Sequence, residues 1–128
     1  MKGTFGLKVL ALMLGAGAIS AAQAYDGDWK RGRIYYRYVC TACHNTELKK
    51  PIPPNERTKA EWAAYIQADK HGKDTVKHYF SKQYRDSIKA KNPAAAKYAE
   101  VPEKELIEDV KAFLNKGAKD GDAPAGCS

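Results

Sequence analysis

Methionine is almost missing from this chain of 128 residues: Met1 and Met13 are the only two, so beyond residue 13 no thioether is available as a metal ligand. Cysteine is scarce as well. Of the three, Cys40 and Cys43 form the single Cys-x-x-Cys pair, and Cys127 stands 84 residues further on without a near neighbour. A structural zinc site would need a second pair of ligands at close spacing, and the chain does not offer one. No run of alternating β-branched residues reads as a strand, which removes the strand-to-helix setting of a thioredoxin-type dithiol. There is no internal repeat, and no nucleic-acid reading motif accompanies the basic residues. The longest apolar run, Val9–Ile19, is too short to span a bilayer as a helix.

That run still has a meaning. Lys2 and Lys8 precede it, and the small-x-small sequence Ala22-Gln23-Ala24 follows, the pattern of a secretory signal peptide cut before Tyr25. No cysteine follows the cut, which speaks against a lipoprotein anchor. The reading divides the chain into a leader, 1–24, one domain, 25–118, and a flexible tail, 119–128. It implies a periplasmic protein with no stable membrane insertion after cleavage. Only Lys2 and Lys8 are lost among the charged residues, so the formal charge falls from +7 to +5. A modest positive surplus of this kind suits docking to a partner with an acidic surface.

Export changes how the cysteines read, because an oxidising compartment favours disulfides and covalent attachment over reduced thiolates. Cys40-Thr41-Ala42-Cys43-His44 is the attachment pattern of a c-type haem: each cysteine adds to a vinyl group, and the adjacent histidine becomes the proximal iron ligand.

The remainder reads as all-α. Asp28 caps a first helix in which Trp29, Gly32, Tyr36 and Val39 recur at helical spacing and which ends at the haem motif. Pro51–Pro54 imposes a stiff extended loop. Thr58 and Glu61 form a capping box for a second helix with Trp62, Tyr65, Ile66 and Asp69 on one face, ended by Gly72. Asp74 caps a third helix with Val76, Tyr79, Phe80, Tyr84 and Ile88 inward, stopped by Asn92-Pro93. Pro102 opens the last helix, Leu106, Val110, Phe113 and Leu114 form its stripe, and Gly117 closes it.

With "GRIYYRYVCTACH" and "VPEKELIEDVKAFL" in place, the chain resembles the monohaem c-type cytochromes of class I across roughly Gly32 to Phe113. The resemblance implies a small helical fold wrapped around one covalent haem. It implies that Gly32 lets the last helix cross closely over the first, with Tyr36 and Phe113 at the contact. It also implies that a carbonyl beside Pro51, Pro53 or Pro54 orients the proximal imidazole of His44.

One family element is missing. The sixth ligand is usually a methionine in the loop before the last helix, and the mature chain would have none. Apart from His44 the histidines are His71 and His78. On a continuous third helix His78 would share its face with Lys82 and Arg85, away from the core, so the placement favours His71 as distal ligand and leaves His78 as the alternative. Lysine, tyrosine or the Cys127 thiolate are other donors, and an open sixth site would make a gas-binding sensor or the haem subunit of a larger oxidoreductase. A peroxidase would want a distal base and a charged partner, and no such pair is assignable. The reading is an electron carrier rather than an enzyme, with redox proteins as partners, and with Cys127 open to linking two copies, binding the iron or staying a free thiol on the tail.

Overall fold

The computed structural model describes residues 25–125, so the expected leader and Cys127 lie outside the described residues. Among the described residues all regular structure is helical, and no helix is long and apolar enough to cross a membrane.

α1 (Trp29–Tyr35) begins where expected: Asp28 Oδ1 accepts the Lys30 N–H at 2.9 Å and the Arg31 N–H at 3.3 Å. It does not run as one α-helix into the cysteines. The backbone widens into a π-helical turn, Tyr36–Cys40, in which the Thr41 N–H donates to the Tyr36 carbonyl at 2.9 Å, five residues back. Thr41 Oγ1 donates to the same carbonyl at 3.0 Å and holds the turn. α2 (Ala42–Thr46) follows, so the motif straddles two helical turns of different pitch instead of ending the first helix.

The proline loop is extended only as far as Pro53, and Pro54–Glu56 then forms a 3-10 turn. α3 (Lys59–Ala68) starts at Thr58, whose Oγ1 accepts the Glu61 N–H at 3.2 Å. Its end differs from expectation. Asp69, not Gly72, takes the left-handed conformation (φ 53°), and its Oδ1 accepts the Lys77 N–H at 2.9 Å, an interaction that holds this unusual backbone. The expected third helix is two elements. Lys77–Phe80 is a 3-10 turn, Ser81 is extended (ψ 147°), and α4 (Lys82–Ile88) starts afresh with the Tyr84 N–H donating to Ser81 Oγ at 3.1 Å. Ser81 is therefore the cap assigned to Asp74 from the sequence. The shared face of His78, Lys82 and Arg85 is lost with the continuous helix, and Arg85 is buried at 1% exposure.

Asn92-Pro93 begins an element rather than merely stopping one: Asn92 Oδ1 accepts the Ala95 N–H at 3.1 Å and Pro93 opens α5 (Pro93–Lys97). α6 (Glu103–Gly117) buries Leu106, Val110, Phe113 and Leu114, with Pro102 as N-cap and Ala118 as C-cap. It crosses α1 so closely that a Cβ on Gly32 would lie 2.0 Å from the Asp109 carbonyl oxygen. Tyr36 sits at this crossing, 5.6 Å from Phe113 and 6.3 Å from Trp62 between ring centroids. Tyr35 and not Trp29 is the fully buried aromatic of α1; Trp29 is 37% exposed. Beyond α6 the expected loose tail is hydrogen-bonded as far as Ala125: the Lys119 N–H donates to the Arg57 carbonyl at 2.9 Å, and the Ala125 N–H to the Gly117 carbonyl at 3.0 Å.

The crossing is locked by a buried acid absent from the sequence reading. Asp109 has no exposed surface, and it accepts from Tyr25 Oη and the Asp28 N–H at 2.7 Å each and from Arg31 Nε at 2.5 Å. These bonds tie the segment entering α1 to the middle of α6. Asp109→Ala strips three donors of their acceptor at once. It should cost roughly 2–4 kcal/mol, held towards the lower end for a broken buried pair because Arg31 keeps some access to water. Equilibrium denaturation measures this, and Asp109→Asn, which keeps one acceptor oxygen, should lose less.

Candidate functional site

Cys40 and His44, four residues apart, both line a cavity of about 200 Å³, while Cys43 is exposed beside it. Its floor is apolar, made by Tyr36, Trp62, Phe80, Val110 and Leu114, so the α1–α6 crossing that the sequence indicated is also what builds the pocket. The two cysteines are not joined in a disulfide, and burial pushes the Cys40 thiol up to about 12.

Opposite the motif stands His71. Its ring centroid lies 5.8 Å from that of His44, with the planes inclined at 62°. The left-handed residue Asp69 turns the chain back after α3, and a two-way bridge closes the next turn: the His71 N–H donates to the Asp74 carbonyl at 2.9 Å and the Asp74 N–H to that of His71 at 3.0 Å. This returns His71 to α3, where its Nδ1 hydrogen-bonds Tyr65 Oη. Tyr79 packs edge-on against the same imidazole at 5.3 Å. The Tyr35 hydroxyl donates to the Tyr79 carbonyl at 2.5 Å and so fixes that neighbour from the core. Burial and the nearby His44 both hold His71 below the usual imidazole range. Burial raises the Tyr65 hydroxyl, with Arg57 opposing, so Tyr65 is a neutral phenol at physiological pH.

His78 is elsewhere. Its ring lies against Tyr79 and Tyr84, 38% of its side chain is exposed, its Nε2 is 3.9 Å from Asp74 Oδ2, and it does not line the cavity. The structure thus brings Cys40, His44 and His71 together and leaves His78 outside the cavity lining.

His44 departs from expectation in its support. Its Nδ1 is buried and has no hydrogen-bond partner, so no carbonyl of the proline loop orients the ring. Those carbonyls have other donors: Tyr36 Oη gives its hydrogen to Ile52 at 2.6 Å, and Trp62 Nε1 donates to Pro54 at 2.7 Å. An orphaned buried imidazole nitrogen costs on the order of 1–3 kcal/mol unless another group meets it.

Among the described residues no group of three or more His, Cys, Asp or Glu side chains could hold a metal ion. What the cavity does present is a pair of imidazoles, sufficient only where a non-protein ligand supplies the remaining donors. The enclosed space is smaller than the roughly 300–1,000 Å³ of ligand pockets, so a large planar ligand would stand partly exposed at the mouth. At that mouth Arg57 lies over the rings of Trp62 and Tyr65, at 5.5 and 5.3 Å from their centroids. A larger groove of about 540 Å³ lies on the other side of Tyr36 and Ile52; Arg33, Arg37 and Lys116 line it, and no cysteine or histidine does. Tyr65 and Tyr79 were not legible as site residues, because their contacts with His71 depend on the turn at Asp69. No protein-family model, no curated protein and no solved structure matches the chain, so the chemistry of the site is read from its own residues.

Proposed function

We propose that this chain is a periplasmic electron carrier of the cytochrome c kind, with one haem attached through Cys40 and Cys43, His44 as proximal ligand and His71 as the sixth. The observation that carries the reading is the pairing of His44 with His71 across the cavity at the Cys-x-x-Cys-His motif. The two ring centroids are 5.8 Å apart, which leaves room for one metal ion bonded to a nitrogen of each ring at about 2 Å. The two imidazoles facing each other across the cavity, with Nε2 of His71 left free by the bond at its Nδ1, are the donor chemistry such a group takes. Haem would supply one-electron Fe(III)/Fe(II) exchange, and with no methionine in the mature chain its potential would be comparatively low.

The residues of the chain have three tasks in this reading. Cys40 and Cys43 hold the group covalently. The floor of Tyr36, Trp62, Phe80, Val110 and Leu114 excludes water from one side. His44 and His71 would both ligate the iron, which would suit electron exchange and disfavour binding of small gases. The basic surface suits an acidic redox partner.

Expression in a host with a c-type haem maturation system tests this. The mature chain should gain one haem by mass and give a six-coordinate low-spin spectrum that carbon monoxide does not rapidly change. His71→Ala should become high-spin and bind carbon monoxide, while His78→Ala keeps the native spectrum. A chain without covalent haem would sink the proposal. Rapid carbon monoxide binding by the unmodified protein would favour a gas-binding sensor, and a spin change in His78→Ala alone would move the sixth ligand to His78.

A further inference from the structure

We infer that Tyr65 is a positioning residue for His71: its hydroxyl oxygen accepts the Nδ1–H of His71 and so leaves the Nε2 lone pair for the metal. This rests on the electron-carrier reading above and extends it to a residue outside the Cys-x-x-Cys-His motif.

The reasoning is one of tautomers. A neutral imidazole carries one N–H and one lone pair, and whatever binds one nitrogen decides what the other can do. Tyr65 Oη bonds His71 Nδ1, and no other described residue competes for either ring nitrogen. If the phenol donated, Nε2 would hold the proton and could not ligate. With Nδ1–H donating to the phenol oxygen, the lone pair at Nε2 is free, and the phenol proton can turn to solvent at the half-exposed cavity mouth. The same bond fixes the ring's rotation, since Tyr65 is itself held edge-on to Trp62 at 6.2 Å on α3 and beneath Arg57. His71 sits on a turn, where a lone side chain would lose rotamer freedom on ligation; the bond to a helix residue reduces that cost. His44 has no such partner. The asymmetry makes the distal ligand the better-supported of the two.

The test uses the haem-loaded mature protein and added imidazole as competitor for the sixth site of the ferric form, followed optically. Four proteins are compared: unmodified, Tyr65→Phe, His71→Ala, and the double variant. Tyr65→Phe keeps the ring that packs on Trp62 and removes only the oxygen. Loss of an outer-shell partner weakens ligation by about 10–100-fold, so Tyr65→Phe should raise the apparent affinity for imidazole by that factor, up to the His71→Ala value. In the His71→Ala background the same change should do nothing. An unaltered affinity in Tyr65→Phe, with His71→Ala raised, overturns this inference alone. So does an equal rise in both backgrounds, which would mean a loosened cavity. If His71→Ala binds imidazole no better than the unmodified protein, His71 is not the ligand, and the assignment fails together with this inference.

Discussion

Gly32→Ala is expected to destabilise the protein by at least about 3 kcal/mol, even though alanine is the better helix former by roughly 1 kcal/mol. The added carbon would sit 2.0 Å from the Asp109 carbonyl oxygen, 2.4 Å from its carbon and 2.9 Å from the Val110 nitrogen. All three atoms belong to the backbone of α6, so no side chain can swing aside to make room. Relief requires moving the helix, and Asp109 ties that helix to Tyr25, Asp28 and Arg31 while Leu106, Val110 and Leu114 pack it on the core. For a domain of this size the melting temperature should fall by roughly 12–24 °C. Arg33→Ala, one position along on the exposed face, is the control and should stay within about 0.5 kcal/mol. A Gly32→Ala melt within a few degrees of the unmodified protein would mean that α1 and α6 do not cross this closely. The consequence reaches the site, because Val110 and Leu114 of the same helix floor the cavity.

What could be read from the sequence was local. Asp28 and Thr58 announce helix starts through their own hydroxyl or carboxylate bonds to backbone two or three residues on, and the stripe of Leu106, Val110, Phe113 and Leu114 repeats with the helical period. Where spacing and backbone disagreed, spacing misled. Val76, Phe80, Tyr84 and Ile88 keep intervals of four across Ser81, so the extended residue between the 3-10 turn and α4 leaves no trace in the pattern. Asp69 was indistinguishable from a polar residue on a helix face; its left-handed backbone depends on the Lys77 amide eight residues away. Of the site, the cysteines and His44 were visible as a motif. The preference for His71 came from a helix that does not exist, and His71 meets His44 for another reason, the reversal at Asp69. The proline-loop carbonyl expected at His44 does not reach its Nδ1, and the Ile52 and Pro54 carbonyls accept from Tyr36 and Trp62 instead.

Arg85 gives the second large effect. A charged residue on an expected surface helix proves to be one of the most buried side chains, and among the described residues it pairs with carbonyls rather than a carboxylate. Its Nη1 donates to the carbonyls of Tyr98 at 2.5 Å, Ala99 at 3.1 Å and Val101 at 2.8 Å, and its Nε to that of Ser81 at 3.3 Å. Tyr98 and Ala99 follow the last turn of α5, where helix carbonyls lack intrahelical donors, so the guanidinium acts as a shared cap between α4, α5 and the approach to α6. Arg85→Ala leaves these carbonyls buried without that donor and opens a cavity, at a cost of about 3–5 kcal/mol. Two further variants separate the causes. Arg85→Lys keeps the charge, but its compact ammonium cannot reproduce the planar fork, so it should recover little. Arg85→Met refills much of the volume and removes the buried charge, the exchange that is often neutral for an arginine paired with a carboxylate. Here the partners are carbonyls that stay behind, so methionine should remain about 2 kcal/mol below the unmodified protein. Full stability in Arg85→Met, measured by denaturant unfolding, would show that arginine serves only as bulk at this position and that the carbonyls of Tyr98, Ala99 and Val101 find other donors.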